Sequence, residues 1–423
     1  MPNRFWYTRT AVEPPFPPGA LSGIRVLDMT IWQQGTSGSA MLADLGADVI
    51  KIEDGRSGDP GRGFARIDSQ GGLSGYFEAL NRGKRSVSID LKHPKGREAF
   101  LRLAKNADVF LTNFRPGVTE RLGIGYQEVS AENPRIIYCR ASGYGRQGPD
   151  AQEGCFDLLG QARGGLMSTT GDPDGPPKNV GVPVADQTGG MLAAFGILAA
   201  IIHRDRTGEG QEVDVSLLGS VMALQSFNIT TYLFSRNLPQ RFPRSGHTPF
   251  WQVYRGSDGK HFAIAMLLDR GWPAICQLIG RPELLEDERF ARYRDRVATH
   301  GAELIELLDA AFAARPAAEW VEKLNERGVF ATPVQDYEDL ARDPQVLANG
   351  YIQPVEREGD TPLPFVTTPV QMSKTPPHIR SMAPQLGQHT EELLLEAGYS
   401  WEEIETLRSE GAIGPTIPTR KES

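Results

Sequence analysis

The sequence contains few residues that would indicate a disulfide framework or a metal site. Its 423 residues include only three cysteines and seven histidines. The cysteines, Cys139, Cys155 and Cys276, are odd in number and widely spaced, and the histidines form neither an HxxxH nor an HExxH motif. We therefore expect reduced thiols, a cytoplasmic location and no bound metal.

Long apolar runs and an excess of positive charge are also missing. No segment reaches the ~20 consecutive apolar residues that a transmembrane helix requires, and residues 1–6 lack the apolar centre of a secretion signal. The formal net charge of -8 disfavours sequence-independent binding to nucleic acid. We therefore expect neither a membrane nor nucleic acid among the partners, whereas local basic groups at 82–85, 92–95 and 115–121 suit an anionic ligand.

The nucleotide-binding signatures GxGxxG and the P-loop are absent, as is the GxSxG nucleophile motif. The apolar pattern nevertheless alternates between strands and helices. It predicts a strand at 24–28, a Gly/Ser turn at 35–39, a helix at 40–45 and a strand at 48–53, then a helix at 95–107 and strands at 108–112, 135–140 and 212–216. Such alternation predicts an α/β fold with a Rossmann-like, doubly wound parallel sheet.

The pattern changes after about residue 236. Residues 250–265 have the pattern of a hairpin around Asp258–Gly259, and helices are predicted at 301–314 and 317–327. This segment predicts a second, smaller α+β domain. Beyond it, 348–382 is proline-bearing and strand-like, and two amphipathic helices are predicted at 390–397 and 401–410.

Asp186 precedes an apolar helix that the pattern predicts over 191–202. One role for an aspartate at this place is to cap the helix by accepting hydrogen bonds from its first free N–H groups. The other is to act as a nucleophile whose carboxylate is kept ionised by the positive end of the helix dipole. The cap is the commoner role, and the segment alone does not decide between the two.

Six motifs, taken in order, resemble the family III CoA-transferases (the CaiB/BaiF family), which include formyl-CoA transferase and crotonobetainyl-CoA transferases. They are Val26–Asp28 with Gly46–Glu53, Asn81–Ser86, Asn113–Gly117, Ser142–Gly145, Asp186–Gly189 and Thr207–Gln211. The resemblance covers nearly the whole chain. It implies an intertwined, interlocked-ring dimer with a large Rossmann-like domain at 1–225, a small α+β domain at 226–340 and a return segment at 341–423 that completes the large domain.

The resemblance also implies roles for individual residues. Asp186 matches the catalytic nucleophile, Gln33 matches a glutamine beside the reacting acyl group, and Asp157 is either a second active-site carboxylate or a surface or capping residue. The positions that match the CoA-binding region are Ile89, Lys92, Asn113, Phe114, Arg115, Pro116, Gly117 and Arg121. The chain departs from formyl-CoA transferase at Asp54, where that enzyme has an arginine, and Arg56 is the nearest substitute.

The reaction implied by the resemblance is CoA transfer through an aspartyl anhydride and an aspartyl-CoA thioester. An acyl-CoA and a small carboxylic acid are then the substrates, and no cofactor is permanently bound. Each step passes through a tetrahedral oxyanion, for which backbone N–H groups of Gly164, Gly165 and Gly189 are candidate donors. The same glycines equally suit tight turns and close helix packing.

Two other functions fit the superfamily. The α-methylacyl-CoA racemases resemble the transferases but need a histidine where this chain has Phe156, and a phenyl ring cannot carry a proton. The chain also suits one subunit of a hetero-oligomer formed with a paralogous chain, because some family members pair in this way. Transfer by a homodimer is the interpretation we favour.

The substrates are the least determined part of the sequence. The stretch from Arg244 to Thr248 lacks the four-glycine loop of formyl-CoA transferase, so we expect that oxalate and formate are not the pair. Two sets of side chains would suit other substrates, although each also suits a structural role. Arg163, Arg244 and His247 would meet a second carboxylate, as in succinyl-CoA, and Phe156, Phe250 and Trp251 would suit a bulky acceptor.

Overall fold

The computed structural model describes residues 18–414 apart from 68, 70, 71, 242, 243, 245–247, 267, 268 and 358. The chain divides into two compact units. The first contains the residues up to 167, residues 179–236 and the residues from 348 onward. The second contains residues 168–178 and 237–347.

The elements alternate between strand and helix in the first half of the chain. The strands are β1 (Arg25–Met29), β2 (Asp48–Glu53), β3 (Arg66–Ile67), β4 (Leu73–Ser74), β5 (Arg85–Ser88), β6 (Val109–Thr112), β7 (Ile137–Ser142), β8 (Gln211–Ser216), β9 (Trp251–Arg255), β10 (His261–Ala265), β11 (Ala331–Pro333), β12 (Ile352–Arg357) and β13 (Asp360–Val366). The helices are α1 (Gln34–Asp44), α2 (Gly75–Asn81), α3 (Pro94–Lys105), α4 (Val118–Arg121), α5 (Tyr126–Glu132), α6 (Asp157–Arg163), α7 (Val184–Thr207), α8 (Leu217–Leu224), α9 (Ser226–Ser235), α10 (Trp272–Leu278), α11 (Gly301–Phe312), α12 (Ala317–Glu326), α13 (Tyr337–Arg342), α14 (Pro344–Ala348), α15 (Thr390–Glu396) and α16 (Trp401–Ser409).

The first unit is built on a parallel sheet of six strands in the order β5-β2-β1-β6-β7-β8. The predicted mixed α/β fold with a parallel central sheet is therefore confirmed. The chain winds outward from β1 in one direction and from β6 in the other, so the strand order reverses between these two strands. In doubly wound sheets, ligands bind at such a switch point, outside the carboxyl ends of the strands.

Both faces of the sheet are covered. On one face a cluster that includes Phe100 of α3 and Phe110 of β6 also contains Leu394 and Ile404, all without solvent exposure. Helices α15 and α16 of the C-terminal segment thus pack on the sheet that the N-terminal half forms. On the other face, α1 and α7 cover the sheet through residues such as Leu42.

Helix α1 begins at Gln34, and the turn that we predicted at 35–39 is helical. The reason is the contact between α1 and α7. A Cβ atom added to Gly38 would lie 2.6 Å from the carbonyl oxygen of Gly190, so only glycine allows the two backbones to approach this closely. The small residues that suggested a turn are instead the residues through which two helices pack.

Helix α7 is also longer than predicted and begins at Val184 rather than at residue 191. Among the described residues it is the one helix long and apolar enough to cross a membrane by length and composition, a criterion that a buried core helix also meets. In this structure α7 carries Asp186 in its first turn and packs against α1 and the sheet.

The second unit contains the antiparallel sheet β11-β10-β9 and the helices around it. The predicted hairpin is present, since β9 pairs with β10 across residues 256–260. Trp320, Phe262 and Phe312 are buried in its core. The unit begins at 237 rather than at the predicted 226, because α9 belongs with the first unit, and it ends at 347 rather than at 340.

We predict that Gly190→Ala destabilises the first unit. The new Cβ would lie 2.0 Å from Ser37 Oγ and 2.6 Å from the carbonyl oxygen of Gln34, and overpacking of this kind typically costs about 1–3 kcal/mol. Denaturant unfolding measures the loss. Gly181→Ala is the matched control, because nothing lies within 4 Å of its added Cβ. Equal stability of the two variants would contradict a tight α1–α7 contact.

Candidate active site

A cavity of about 330 Å³ lies at the switch point of the sheet. It is formed by the loop after β1, the loop after β6, the end of β7 and the first turn of α7. The predicted site residues among its lining are Gln33, Asn113, Phe114, Arg115, Pro116 and Asp186. The fold thus brings the proposed nucleophile, the acyl-site glutamine and most of the predicted CoA loop to one place.

Asp186 does not cap its helix. It lies in the first turn of α7, and the capping position is Pro183, which makes no side-chain hydrogen bond. The cap is provided from another helix by Asp157, whose Oδ1 accepts the N–H groups of Ala185 at 2.7 Å and of Asp186 at 3.2 Å. Its Oδ2 is held by Gln161 at 2.6 Å. Asp157 therefore caps α7, and the carboxylate of Asp186 faces the cavity.

The electrostatic setting of Asp186 differs from our expectation. Burial, and secondly the negative charge of Asp157, raise the pKa of the half-buried Asp186 from 3.8 to about 7. Burial, with the charge of Asp157 second, thus acts against the ionised carboxylate that we expected at the start of the helix. At pH 7 roughly half of the free protein then carries an ionised Asp186.

Gln33 lies directly before α1, where it occupies the capping position without a side-chain cap bond. Its amide Nε2 donates to Gln187 Oε1 at 3.3 Å, so the glutamine is linked to the residue that follows Asp186. Asn113 holds the same loop from the other side. Its Oδ1 accepts the N–H of Ile31 at 2.9 Å, and its Nδ2 donates to the carbonyl of Ile31 at 2.6 Å.

The glycines that we considered as oxyanion donors are engaged elsewhere. The N–H of Gly164 donates to Gly160 at 2.9 Å, and that of Gly165 to Ala162 at 3.4 Å. Gly189 lies inside α7, where an added Cβ would meet Gln34 Cγ at 2.9 Å. These contacts show a turn and close helix packing, so we do not retain these three glycines as oxyanion donors.

A second cavity, of about 220 Å³, collects positive charge beside the first. Its lining includes Lys92, Arg97 and Arg121, with no acidic residue among the described ones. All three side chains are exposed, and none forms an ion pair within the described part of the chain. Arg121 ends α4, the short helix that follows the 113–117 loop. Arg121 therefore lies, along the chain, directly after the loop that lines the Asp186 cavity. Such a cluster suits phosphate groups.

The remaining CoA-site predictions lie nearby but make different contacts. Ile89 is buried and bridges to Ile413, so it supports the wall rather than lining either cavity. Gly117 has a left-handed backbone (φ 81°) at the start of α4, which favours glycine. Arg56 is the nearest substitute for the arginine that formyl-CoA transferase has in place of Asp54. Its side chain is 87% exposed, and its Nη2 atom lies 3.9 Å from Asp90 Oδ2.

The two arginines predicted to meet a second carboxylate already have partners. Arg163 pairs with Asp150 and stacks on the ring of Tyr144 at 4.7 Å. Arg244 forms a two-point ion pair with Asp309. Neither lines the Asp186 cavity, and the third predicted partner, His247, lies outside the described residues.

The predicted aromatic residues are distributed differently. Phe156 is 64% exposed and lines the Asp186 cavity. Phe250 is fully buried in the core of the second unit, where it packs on Trp272. Trp251 is exposed on β9. Phe156 is therefore the one of the three that the described structure places beside the nucleophile.

Sequence reasoning missed an aromatic cluster beside Asp186. Trp32 and Phe64 make edge-to-face contacts with Tyr76 at centroid distances of 6.4 Å and 5.1 Å. Burial, and then the negative charge of Asp186, raise the pKa of Tyr76 well above its usual range. Trp32 adopts a positive φ of 59°, which is rare outside glycine and costs about 1–3 kcal/mol. The residues are far apart in sequence and carry no motif.

The described residues contain no group of three or more His, Cys, Asp or Glu side chains that could hold a metal ion. The cysteines are unpaired, with Cys139 and Cys276 buried. Cys155 lines the Asp186 cavity, and burial raises the pKa of its thiol. The thiol is thus kept protonated beside the carboxylate.

Fold and site together define a doubly wound α/β protein with a carboxylate in a cavity at the switch point and a cluster of cations in a second cavity. The profile of CoA-transferase family III matches residues 21–390, and the chain belongs to this family. It is 36% identical to an acetyl-CoA:oxalate CoA-transferase of Acetobacter aceti, over 90% of this chain and 96% of that one. It is 37% identical to a succinyl-CoA:mesaconate CoA-transferase of Haloarcula hispanica, over 90% and 97%.

A solved structure agrees with these relatives. The crystal structure of a CaiB/BaiF family protein from Brucella suis superposes with a TM-score of 0.83 at 34% sequence identity. The match covers 90% of this chain and 100% of that chain. The resemblance drawn from the six motifs is therefore confirmed.

We predict that Asp157→Asn shifts the pH dependence of activity. Asparagine keeps an oxygen for the N–H groups of α7 but removes the negative charge that, after burial, raises the pKa of Asp186. If activity needs the ionised carboxylate, it should rise with pH through about 7 in the unmodified protein. This rising limb of the pH profile should move to lower pH in the variant. Measurements of kcat/KM from pH 5 to 9 test the shift.

The matched control for this experiment is Asp150→Asn. Asp150 is paired with Arg163 and does not line the cavity, so the limb should stay where it is. An unchanged limb in Asp157→Asn would mean that burial alone sets the pKa of Asp186.

Proposed function

We propose that the chain is a CoA-transferase that moves CoA from an acyl-CoA donor to a carboxylic acid, with Asp186 as the covalent nucleophile. The observation that carries this proposal is that Asp157, and not Asp186, caps the helix. Because Asp157 caps α7, Asp186 is not needed as a helix cap. It faces a cavity that is also lined by the loop proposed to bind CoA, Asn113–Gly117.

The reaction proceeds through two covalent intermediates. A carboxylate oxygen of Asp186 attacks the thioester carbonyl of the donor, the C–S bond breaks, and CoA leaves as a thiolate. The thiolate attacks the Asp186 carbonyl carbon of the resulting anhydride and displaces the donor acid. The acceptor carboxylate then attacks this aspartyl-CoA thioester, and the released thiolate takes the new acyl group. Covalent catalysis divides the exchange into steps with similar barriers.

The negative charge that develops on the acyl oxygen needs a hydrogen-bond donor to stabilise it. The Gln33 amide lies in the cavity, and within the described part of the chain its side chain makes one hydrogen bond, of 3.3 Å, to Gln187, so it can turn to the reacting group. An oxyanion donor of this kind is typically worth about 3–4 kcal/mol in the transition state. We assign this role to Gln33 in place of the engaged glycine N–H groups.

The racemase alternative is disfavoured by the lining of the cavity. A racemase removes a proton from the α-carbon with a base and returns one with an acid. Phe156 stands where the histidine would be, and no histidine is among the described lining residues. The hetero-oligomer alternative does not change the chemistry of Asp186.

For assembly we propose an intertwined homodimer. Several large apolar side chains on α7 and α9 are exposed in the single chain, among them Phe195 at 70%, Phe227 at 77% and Phe234 at 86%. Apolar surface on this scale usually marks an interface. Light scattering of the isolated chain, alone and with a paralogous subunit, distinguishes a homodimer from a heterodimer. We also propose a cytoplasmic location, which unpaired cysteines favour.

For the substrates we propose a dicarboxylic acid as one partner, with succinyl-CoA as the donor. Oxalate and mesaconate, which occur in the names of the two relatives described above, are both dicarboxylic acids. We keep the prediction that oxalate and formate are not the pair. A matrix of acyl-CoA donors and acids, with products identified by mass spectrometry, tests the assignment.

We predict that Asp186→Asn abolishes CoA exchange, because an amide cannot form the anhydride. Hydroxylamine added during turnover should mark Asp186 and no other carboxylate, as detected by peptide mass spectrometry. Asp205→Asn, at the other end of the same helix, is exposed and paired with Arg204, so it should exchange CoA normally. Normal exchange by Asp186→Asn would exclude the mechanism.

We predict that Arg97→Ala weakens binding of the CoA donor. Loss of a charge-assisted contact worth about 1.5–3 kcal/mol should raise KM for acyl-CoA by about tenfold or more and leave kcat nearly unchanged. Steady-state kinetics at low and high salt measure the effect, which salt should reduce. The control is Arg102→Ala on the same helix, since Arg102 pairs with Glu98 and lies outside the basic cavity. An unchanged KM in Arg97→Ala would exclude its role.

A further inference from the structure

The backbone of residues 30–32, which joins β1 to α1, is held entirely by side chains. Each of its three N–H groups and three carbonyl groups forms a hydrogen bond with a side chain. The N–H groups of Thr30, Ile31 and Trp32 donate to Asp28, Asn113 and Asp59, and the carbonyls accept from Lys51, Asn113 and Thr36 in the same order. These hydrogen bonds constrain the conformation of the loop.

This conformation is strained at one residue. Trp32 has φ 59°, in the left-handed region that bulky residues avoid. Strain of this kind persists only where the surroundings determine the backbone, and it occurs preferentially at functional sites. The next residue along the chain is Gln33, whose amide lies in the Asp186 cavity.

One buried ion pair holds both ends of the segment. Lys51 and Asp59 are 2.9 Å apart, and their side chains are 0% and 1% exposed. Lys51 Nζ donates to the carbonyl of Thr30 at 2.9 Å. Asp59 Oδ1 accepts the N–H of Trp32 at 3.3 Å and that of Gly61 at 2.8 Å. Neither charged residue lines the cavity, so neither can touch the substrate.

We propose that the buried Lys51–Asp59 pair is a positioning device for catalysis. It fixes Trp32 in its left-handed conformation and thereby aims the Gln33 amide at the acyl group that reacts with Asp186. The inference rests on the proposed function and adds two positioning residues to it. Because Asp59 belongs to the loop after β2, the pair also couples that loop to the acyl site.

The chemistry of the carboxylate makes the proposal testable by a small change. Asp59 uses one oxygen for Trp32 and Gly61 and the other for Lys51. In Asp59→Asn only one atom of the side chain is an acceptor, and the other is a donor. Either Lys51 or the N–H of Trp32 then faces a donor, so one of the two contacts through which Asp59 holds the segment is lost without a change of volume.

The experiment is a double-mutant cycle of Asp59→Asn with Gln33→Ala. Asp59→Asn alone should lower kcat on the order of 10²-fold, the effect typical of a misplaced catalytic group, and leave KM for acyl-CoA unchanged. In the Gln33→Ala background it should cause little further loss, because the group that it positions is gone. A loss that is the same in both backgrounds would show a general structural effect and overturn the proposal.

The matched control is Asp44→Asn. Asp44 and Arg82 form another buried pair, 2.7 Å apart, at the opposite end of α1. This variant should unfold at a lower temperature and keep kcat. If Asp59→Asn alone does not fold, Lys51→Met with Asp59→Asn removes both charges together and leaves no unpaired buried ion. The combined variant must show the same dependence on Gln33.

Failure of the proposal is distinguishable from failure of the proposed function. Hydroxylamine trapping on the unmodified protein reports whether Asp186 forms an intermediate at all. If it does, and Asp59→Asn turns over at the normal rate, the positioning role is wrong and the transferase mechanism stands. If no adduct forms on Asp186, the mechanism is wrong, and the positioning role falls with it.

Discussion

The close contact between α1 and α7 is the constraint on which the site depends. Gly38 and Gly190 let the two helix backbones touch, because any side chain at either position would overlap the other helix. Gln33 lies at the start of one helix and Asp186 in the first turn of the other. The contact therefore brings together the proposed donor and the proposed nucleophile, which are more than 150 residues apart in sequence.

A second constraint is that the start of α7 needs a cap, since the first N–H groups of a helix have no partner inside it. Asp157 supplies it from α6. This arrangement releases Asp186 from a structural role and also places a negative charge beside it. The same residue therefore leaves the Asp186 carboxylate free of the cap and, after burial, raises its pKa. A neutral cap would separate the two effects.

The sequence predicted five of the six strands of the central sheet, because apolar runs are local signals, and it missed β5 (Arg85–Ser88). It misplaced the starts of α1 and α7, because glycines that serve helix contact look like turn residues. It could not assign the capping role to Asp157 or find the Trp32 strain and the Lys51–Asp59 pair. Each of these depends on contacts between segments distant in the chain. Arg97 was missed because one exposed arginine carries no signal until Lys92 and Arg121 are seen beside it.

A nucleophile whose pKa is about 7 looks poorly suited to work at neutral pH, but the free-energy cost is small. If half of the molecules are protonated at pH 7, the loss is twofold, which corresponds to about 0.4 kcal/mol. Burial removes water from the carboxylate, and water must in any case leave before the oxygen attacks a carbonyl. An Asp186 in bulk water would be fully ionised yet would face that desolvation during the reaction. The fold therefore meets part of the barrier in advance, and the twofold loss of ionised protein is a small effect beside it.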